Sequence, residues 1–408
     1  MSDARRIAVT GIGIVSAIGR DQHEFWSNAL AGRRGFRPVD LFDTSGCRAD
    51  FAAQVRESPD RRDLPRGVGR RASRTDLLCA RAAHEAVAQA GLSGSPTLER
   101  FGVAMGSSTA GMLEAERWCR DGHAGGFDRR AVSKLLRLPT SVPADAVASM
   151  LGAAGPRLSN MTACASAALA IGQAADLIRS SEAPGVVAGG GDALCLMTFA
   201  GFSSLRLLDT RACRPFDATR QGLSLGEGAG ALVLERWDHA VRRGATPLAE
   251  FLDYGASCDA HHMTAPHPDG RGAAAAMTEA LDRSGLSPER IGHINAHGTG
   301  TSQNDDAEAK AIRSVFGEEG AARIPVTASK AMFGHVLGGA GALEAVVLVL
   351  SLMHQMAPST PGFESGRDPD TALDIVAGAP RPLSCVYGMS NSFGFGGANC
   401  SLVFATAA

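Results

Sequence analysis

The same succession of four local patterns occurs twice along this chain, and that repetition constrains its fold more than any single motif does. Residues 85–93 read EAVAQAGLS and residues 279–287 read EALDRSGLS, each a helical pattern stopped by a glycine, Gly91 or Gly285. Glu99-Arg100-Phe101-Gly102 then leads through a short apolar run to Thr109, as Glu289-Arg290-Ile291-Gly292 leads through Ile294 to Thr299. Thr162-Ala163-Cys164 opens an Ala-rich helical pattern, and Thr327-Ala328-Ser329-Lys330 opens another. A short strand pattern runs into glycines at 186–191 and again at 386–388.

A chain built of two similar α/β halves brings equivalent loops together across a pseudo-twofold relation. The expected division is an N-terminal half, 1–245, carrying Cys164, and a C-terminal half, 246–408, carrying His297, Lys330, His335 and a glycine-rich loop. Residues far apart in sequence should then meet at one site. The 49 glycines suit tight strand-to-helix turns, and the 45% hydrophobic content is enough for a large core.

Several classes are disfavoured. A net charge of −2 provides no global attraction to nucleic acid or anionic membrane. The nine cysteines are scattered without CxxC or Cys/His ligand spacing, which speaks against a disulfide framework or structural zinc and for a reducing cytoplasm. Arg5 and Arg6 precede an apolar run at 7–19, but Thr10 and Ser16 interrupt it and no A-x-A site follows, so a buried first strand is expected. Gly11 and Gly13 begin a dinucleotide-like GxGxxG, whose third position is Ser16. The apolar stretch 336–353 contains Glu344 and several glycines and reads as a buried helix, not as a membrane insertion.

Cys164, in Asn160-Met161-Thr162-Ala163-Cys164-Ala165-Ser166, stands at a helix start, where the macrodipole and nearby N–H groups lower a thiol pKa. His297 and the hydroxyls of Thr299 and Thr301 follow a strand in Asn295-Ala296-His297-Gly298-Thr299-Gly300-Thr301. His335 lies between Gly334 and Gly338. Lys330 and Glu344 flank it in an otherwise apolar stretch, so they should pair with each other or with the catalytic groups. Asn391-Ser392-Phe393-Gly394-Phe395-Gly396-Gly397 could supply anion-stabilising N–H groups, with Phe393 and Phe395 as a gate hinged by glycine.

With Arg214-Pro215-Phe216-Asp217, Leu225-Gly226-Glu227-Gly228-Ala229-Gly230 and the following Asn304-Asp305 and Glu308, these segments resemble the beta-ketoacyl-acyl-carrier-protein synthase family of the thiolase-like fold. The resemblance implies an α-β-α-β-α layered arrangement and a decarboxylative condensation. An acyl group would move from an acyl carrier protein to Cys164. Malonyl on a second carrier would lose CO2, and its carbanion would attack the acyl thioester to give a 3-oxoacyl chain. It further implies that His297 and His335 stabilise the enolate, Lys330 orients them with Glu344 behind it, and the N–H groups of Cys164 and Phe395 form a second oxyanion hole. Thr299 and Thr301 would line the pantetheine channel, and Thr109 would sit at the acyl-pocket wall. No cofactor is implied beyond the phosphopantetheine that arrives on the carrier.

Within the wider fold, initiating synthases use Cys-His-Asn, and thiolases use a second Cys. A non-catalytic chain-length-determining subunit lacks the nucleophile, so Cys164 separates this chain from that alternative. Fatty-acid and type II polyketide or polyene pathways both stay open, as do a homodimer and a heterodimer with a chain length factor. For carrier docking, the basic run Arg61, Arg62, Arg66, Arg70, Arg71 and Arg74, with Arg206 as a second contact, is expected to be exposed ahead of a helix from Asp76 to Ala90.

Overall fold

The computed structural model describes residues 6–57, 59–60, 62, 72–127, 131–366 and 373–407. Ten strands form one hydrogen-bonded sheet: β1 (Ile7–Val15), β2 (Gly102–Gly106), β3 (Arg157–Asn160), β4 (Gly185–Asp192), β5 (Gly228–Arg236), β6 (Ala249–Cys258), β7 (Ile291–Asn295), β8 (Val326–Thr327), β9 (Tyr387–Phe393) and β10 (Ala398–Thr406). Their spatial order is β8-β7-β9-β10-β6-β1-β5-β4-β2-β3.

That order is the duplication made visible. Read outward from the central β1–β6 contact, each half runs through two antiparallel pairs and then two parallel pairs. Within the sheet the two halves meet where Ile7, Ala8 and Val9 pair with Phe251, Glu250 and Ala249. β2 and β7, β4 and β9, and the turns after β3 and β8 occupy equivalent places, as the repeated sequence patterns require.

The helices complete the layers. Ser166–Arg179 and Ala340–His354 pack on each other and between the two half-sheets. Ala340–His354 is apolar on every side because both its faces are covered; the apolar stretch Leu337–His354 is a core segment, 89% buried. Arg74–Gln89 covers one outer face and Arg271–Ser284 the other, the matched EAVAQAG and EALDRSG segments. Gly11 and Gly13 belong to this packing and not to a nucleotide loop. A Cβ on either would lie 2.0 Å from the carbonyl oxygen of Ala86 or Ala82 in the covering helix.

Candidate active site

Cys164 lies in a 3-10 turn, Ala163–Ala165, immediately before the helix Ser166–Arg179. His297 follows β7, and His335 follows the short helix Lys330–Phe333 after β8. The half-sheet symmetry brings them together: His335 Nε2 lies 3.0 Å from Cys164 Sγ, and the two imidazole rings meet edge-on at 5.4 Å. Both rings and the thiol are buried and line one cavity with Thr299, Thr301, Phe393 and Phe395. A larger polar surface cleft around Arg20, Arg33 and Arg56 is lined by neither cysteine nor histidine.

The partners of each ring fix its proton. The backbone N–H of Leu337 donates to His335 Nδ1 at 3.1 Å, so the ring carries its hydrogen on Nε2, facing the sulfur. Lys330 Nζ lies 3.1 Å from His297 Nδ1, which leaves that ring's hydrogen on Nε2 as well. Burial, then Lys330, and for His297 also His335, hold both imidazoles well below the usual histidine range, so both are neutral donors. The thiol and the two rings could in principle surround a metal, since their ligand atoms lie within 4.8 Å of one another. The set does not fit one: a metal-binding imidazole donates through its other nitrogen, and here both other nitrogens accept.

Lys330 and Glu344 are fully buried and paired, so the two outcomes expected of them are both realised. The three N–H bonds of Lys330 Nζ meet His297 Nδ1, the His297 carbonyl at 2.5 Å and Glu344 Oε1. Burial raises the Glu344 carboxyl to about 7 against the pull of Lys330.

The expected low-pKa thiol is corrected. Burial pushes Cys164 up to about 11, outweighing Lys330 and the N–H groups of Phe395 and of Cys164 itself, which hydrogen-bond the sulfur. A turn one step ahead of the helix, closed from water, gives up more to desolvation than it gains from the helix terminus. Those same two N–H groups converge where an acyl oxygen on Cys164 would carry negative charge. Gly394 makes this approach possible, because a Cβ there would lie 3.1 Å from the Cys164 nitrogen.

Other assignments are redrawn. Phe393 is no hinged gate: it ends β9, is buried and packs its ring 5.9 Å from that of His297. Phe395 does lie in the glycine turn, Phe395–Gly397, with its ring 5.6 Å from that of Phe202 at the cavity. Thr109, expected at an acyl-pocket wall, is not among the residues lining this cavity; its hydroxyl donates to Asp192 at 2.8 Å. Arg74 is not an exposed docking residue. The helix begins at Arg74, and its guanidinium is buried against Glu227, with contacts at 2.6 and 2.8 Å. Arg61, Arg66, Arg70 and Arg71 lie outside the described residues; Arg62 pairs with Asp60, and Arg206 is exposed.

Two acids act here without having been given a role from sequence. Glu308 accepts the N–H groups of His297 and Gly298, each at 2.8 Å, and burial raises it to about 7. Asp305 accepts from Phe216, Thr299 and Gly300. Together they pin the His297 loop to the following helix, Ser302–Ala321. Their spacing after the His-Gly-Thr-Gly-Thr segment was the available signal, since a polar helix start beside a glycine-rich loop offers carboxylates to its N–H groups.

A buried thiol, two neutral imidazole donors and a pair of backbone donors form a site suited to carbon–carbon condensation by acyl-thioester chemistry. The chain belongs to the beta-ketoacyl synthase family: the N-terminal domain of that family matches residues 4–240 and the C-terminal domain residues 248–364. It is 38% identical to 3-oxoacyl-[acyl-carrier-protein] synthase 2 of Staphylococcus aureus strain COL, over 99% of each chain. Among solved structures it is similar to the ishigamide ketosynthase/chain length factor (TM-score 0.92, 35% identity, 99% of this chain and 100% of that one). It is also similar to AntDE:AntF, a type II polyketide synthase acyl-carrier protein in complex with its ketosynthase (TM-score 0.88, 30% identity, 99% and 100%). The chain is an acyl-transferring condensing enzyme.

Proposed function

We propose that the protein condenses an acyl chain held on Cys164 with malonyl-acyl carrier protein, giving 3-oxoacyl-acyl carrier protein and CO2. The observation that carries this reading is the tautomer of His335: an Nε2–H held by Leu337 and aimed at the reacting sulfur. In the first step Cys164 Sγ attacks the carrier thioester, a new C–S bond forms, and the carrier thiol leaves with the proton that Cys164 gives up. The N–H groups of Cys164 and Phe395 hold the oxyanion.

In the second step the malonyl C–C bond breaks and its electrons pass into the thioester carbonyl. The Nε2–H groups of His297 and His335 bind the resulting enolate oxygen. Its carbon then attacks the acyl group, and the Cys164 thiolate leaves. Lys330 orients His297, and Glu344 balances the Lys330 charge. Decarboxylation supplies the carbanion, so no metal or redox cofactor takes part; phosphopantetheine comes with the carrier, along a channel bordered by Thr299 and Thr301. The protein works in the cytoplasm, a reading supported by nine free thiols.

The partners are acyl- and malonyl-loaded acyl carrier protein and a second ketosynthase-like subunit, either a copy of this chain or a chain length factor. The relatives cover both fatty-acid-type and polyketide-type synthases at similar identity, so both pathways stand. A non-catalytic role is opposed by the complete set of thiol and donors. Incubation with acyl- and malonyl-carrier protein should release CO2 and yield the 3-oxoacyl product by mass spectrometry. Carbon dioxide release with no elongated product would overturn the condensation reading.

A further inference from the structure

Asp192 ends β4 and is fully buried. Its Oδ1 accepts the Ser107 hydroxyl at 2.6 Å and both the N–H and hydroxyl of Thr109 at 2.8 Å. Its Oδ2 accepts the N–H of Ser108 at 2.9 Å and that of Gly338 at 2.8 Å. Donors from two separate turns, one in each half of the chain, therefore converge on one carboxylate.

Each turn leads to a reacting group. Ser108, held by Asp192, donates its hydroxyl to the carbonyl of Ala163 at 3.3 Å, one residue before Cys164. Gly338, also held, follows Leu337, whose N–H fixes the His335 tautomer. Ala163 and Leu337 both have positive φ, +48° and +50°, a conformation L-residues keep only when their surroundings impose it. The two turns meet without side chains between them: a Cβ on Gly338 would lie 2.6 Å from the Ser108 nitrogen, and one on Gly339 2.5 Å from Gly191 Cα.

We propose that Asp192 is a positioning residue for both halves of the reaction, setting Cys164 through Ser108 and Ala163 and setting His335 through Gly338 and Leu337. It touches neither substrate nor sulfur. A carboxylate suits the task because it only accepts, and every group facing it donates. The inference rests on the condensation reading above, and wild-type acylation and decarboxylation measured alongside keep the two separable.

The test is Asp192→Asn, close in shape, whose NH2 faces N–H donors in either orientation. Misplacing both reacting groups should lower the rates of Cys164 acylation and malonyl decarboxylation by roughly 10²-fold. The KM for both carrier substrates should stay within about two-fold, because carrier binding is untouched. Ser108→Ala breaks only the link to Ala163 and should slow acylation several-fold more than decarboxylation. A folded Asp192→Asn protein with wild-type rates, or with its loss confined to KM, overturns the proposal. Should Asp192→Asn fail to fold, Ser108→Ala decides alone: equal effects on both steps, or none, overturn it.

Discussion

His335 Nε2 stands 3.0 Å from Cys164 Sγ, although 171 positions of sequence separate the two residues. The contact is polarised one way, because Leu337 occupies the other ring nitrogen with an N–H. The imidazole gives a hydrogen bond to the sulfur and has no lone pair with which to take its proton. In the proposed reaction His335 would therefore stabilise negative charge, first on the thiolate and then on the enolate. Removing one such donor costs typically ~10²–10³ in rate.

His297→Ala and His335→Ala should therefore each lose malonyl decarboxylation by about that factor while retaining measurable acylation of Cys164. His335→Ala should also slow alkylation of the thiol by iodoacetamide, since the sulfur loses a donor, whereas His297→Ala should leave alkylation closer to wild type. Intact decarboxylation alongside lost acylation would reverse this division of labour.

The buried carboxyls predict an acid limb. Glu344 and Glu308 are each raised to about 7, by burial first. As pH falls through that value they take up protons, Lys330 loses its counter-charge and the His297 loop loses its ionised acceptor. Decarboxylation should decline below about pH 7 for this reason. Glu344→Gln should show a lower plateau and a shallower acid limb, the remainder belonging to Glu308. An unchanged limb in a Glu344→Gln, Glu308→Gln double variant would assign the titration elsewhere.

Arginines of the basic run should fall into two groups. Arg74→Met leaves Glu227 charged and buried, which typically costs ~3–5 kcal/mol, so its main effect should be a lower melting temperature. Arg66, Arg70 and Arg71 changed together to Glu, or Arg206→Glu alone, should instead raise KM for carrier-bound substrates, most clearly at low salt. Turnover of a small pantetheine-mimic thioester should hardly change. Equal losses on both substrates would make these residues structural.

How much of this was readable beforehand depended on whether the information was local. The duplication was legible because matched helices and strand-to-helix turns preserve local patterns, and it placed Cys164 opposite His297 and His335. The Lys330–Glu344 pair was legible because isolated charges in an apolar run must find partners. The elevated Cys164 pKa was not, because burial is set by chain segments remote in sequence. Asp192 was invisible for the same reason: its donors come from 107–109 and from Gly338, and nothing at Gly189-Gly190-Gly191-Asp192 announces them. Arg74 was misread because a charge run looks alike whether its last member faces solvent or Glu227.

The proposed condensation requires a covalent acyl group at Cys164, and intact-mass analysis with peptide mapping reads that directly. Mixed with acyl-carrier protein alone, the wild-type protein should gain the mass of one acyl group on the peptide containing Cys164. The adduct should be discharged as 3-oxoacyl product when malonyl-carrier protein is added, and Cys164→Ala should show neither event. An adduct on a different cysteine, or elongation by Cys164→Ala at near the wild-type rate, would contradict the account.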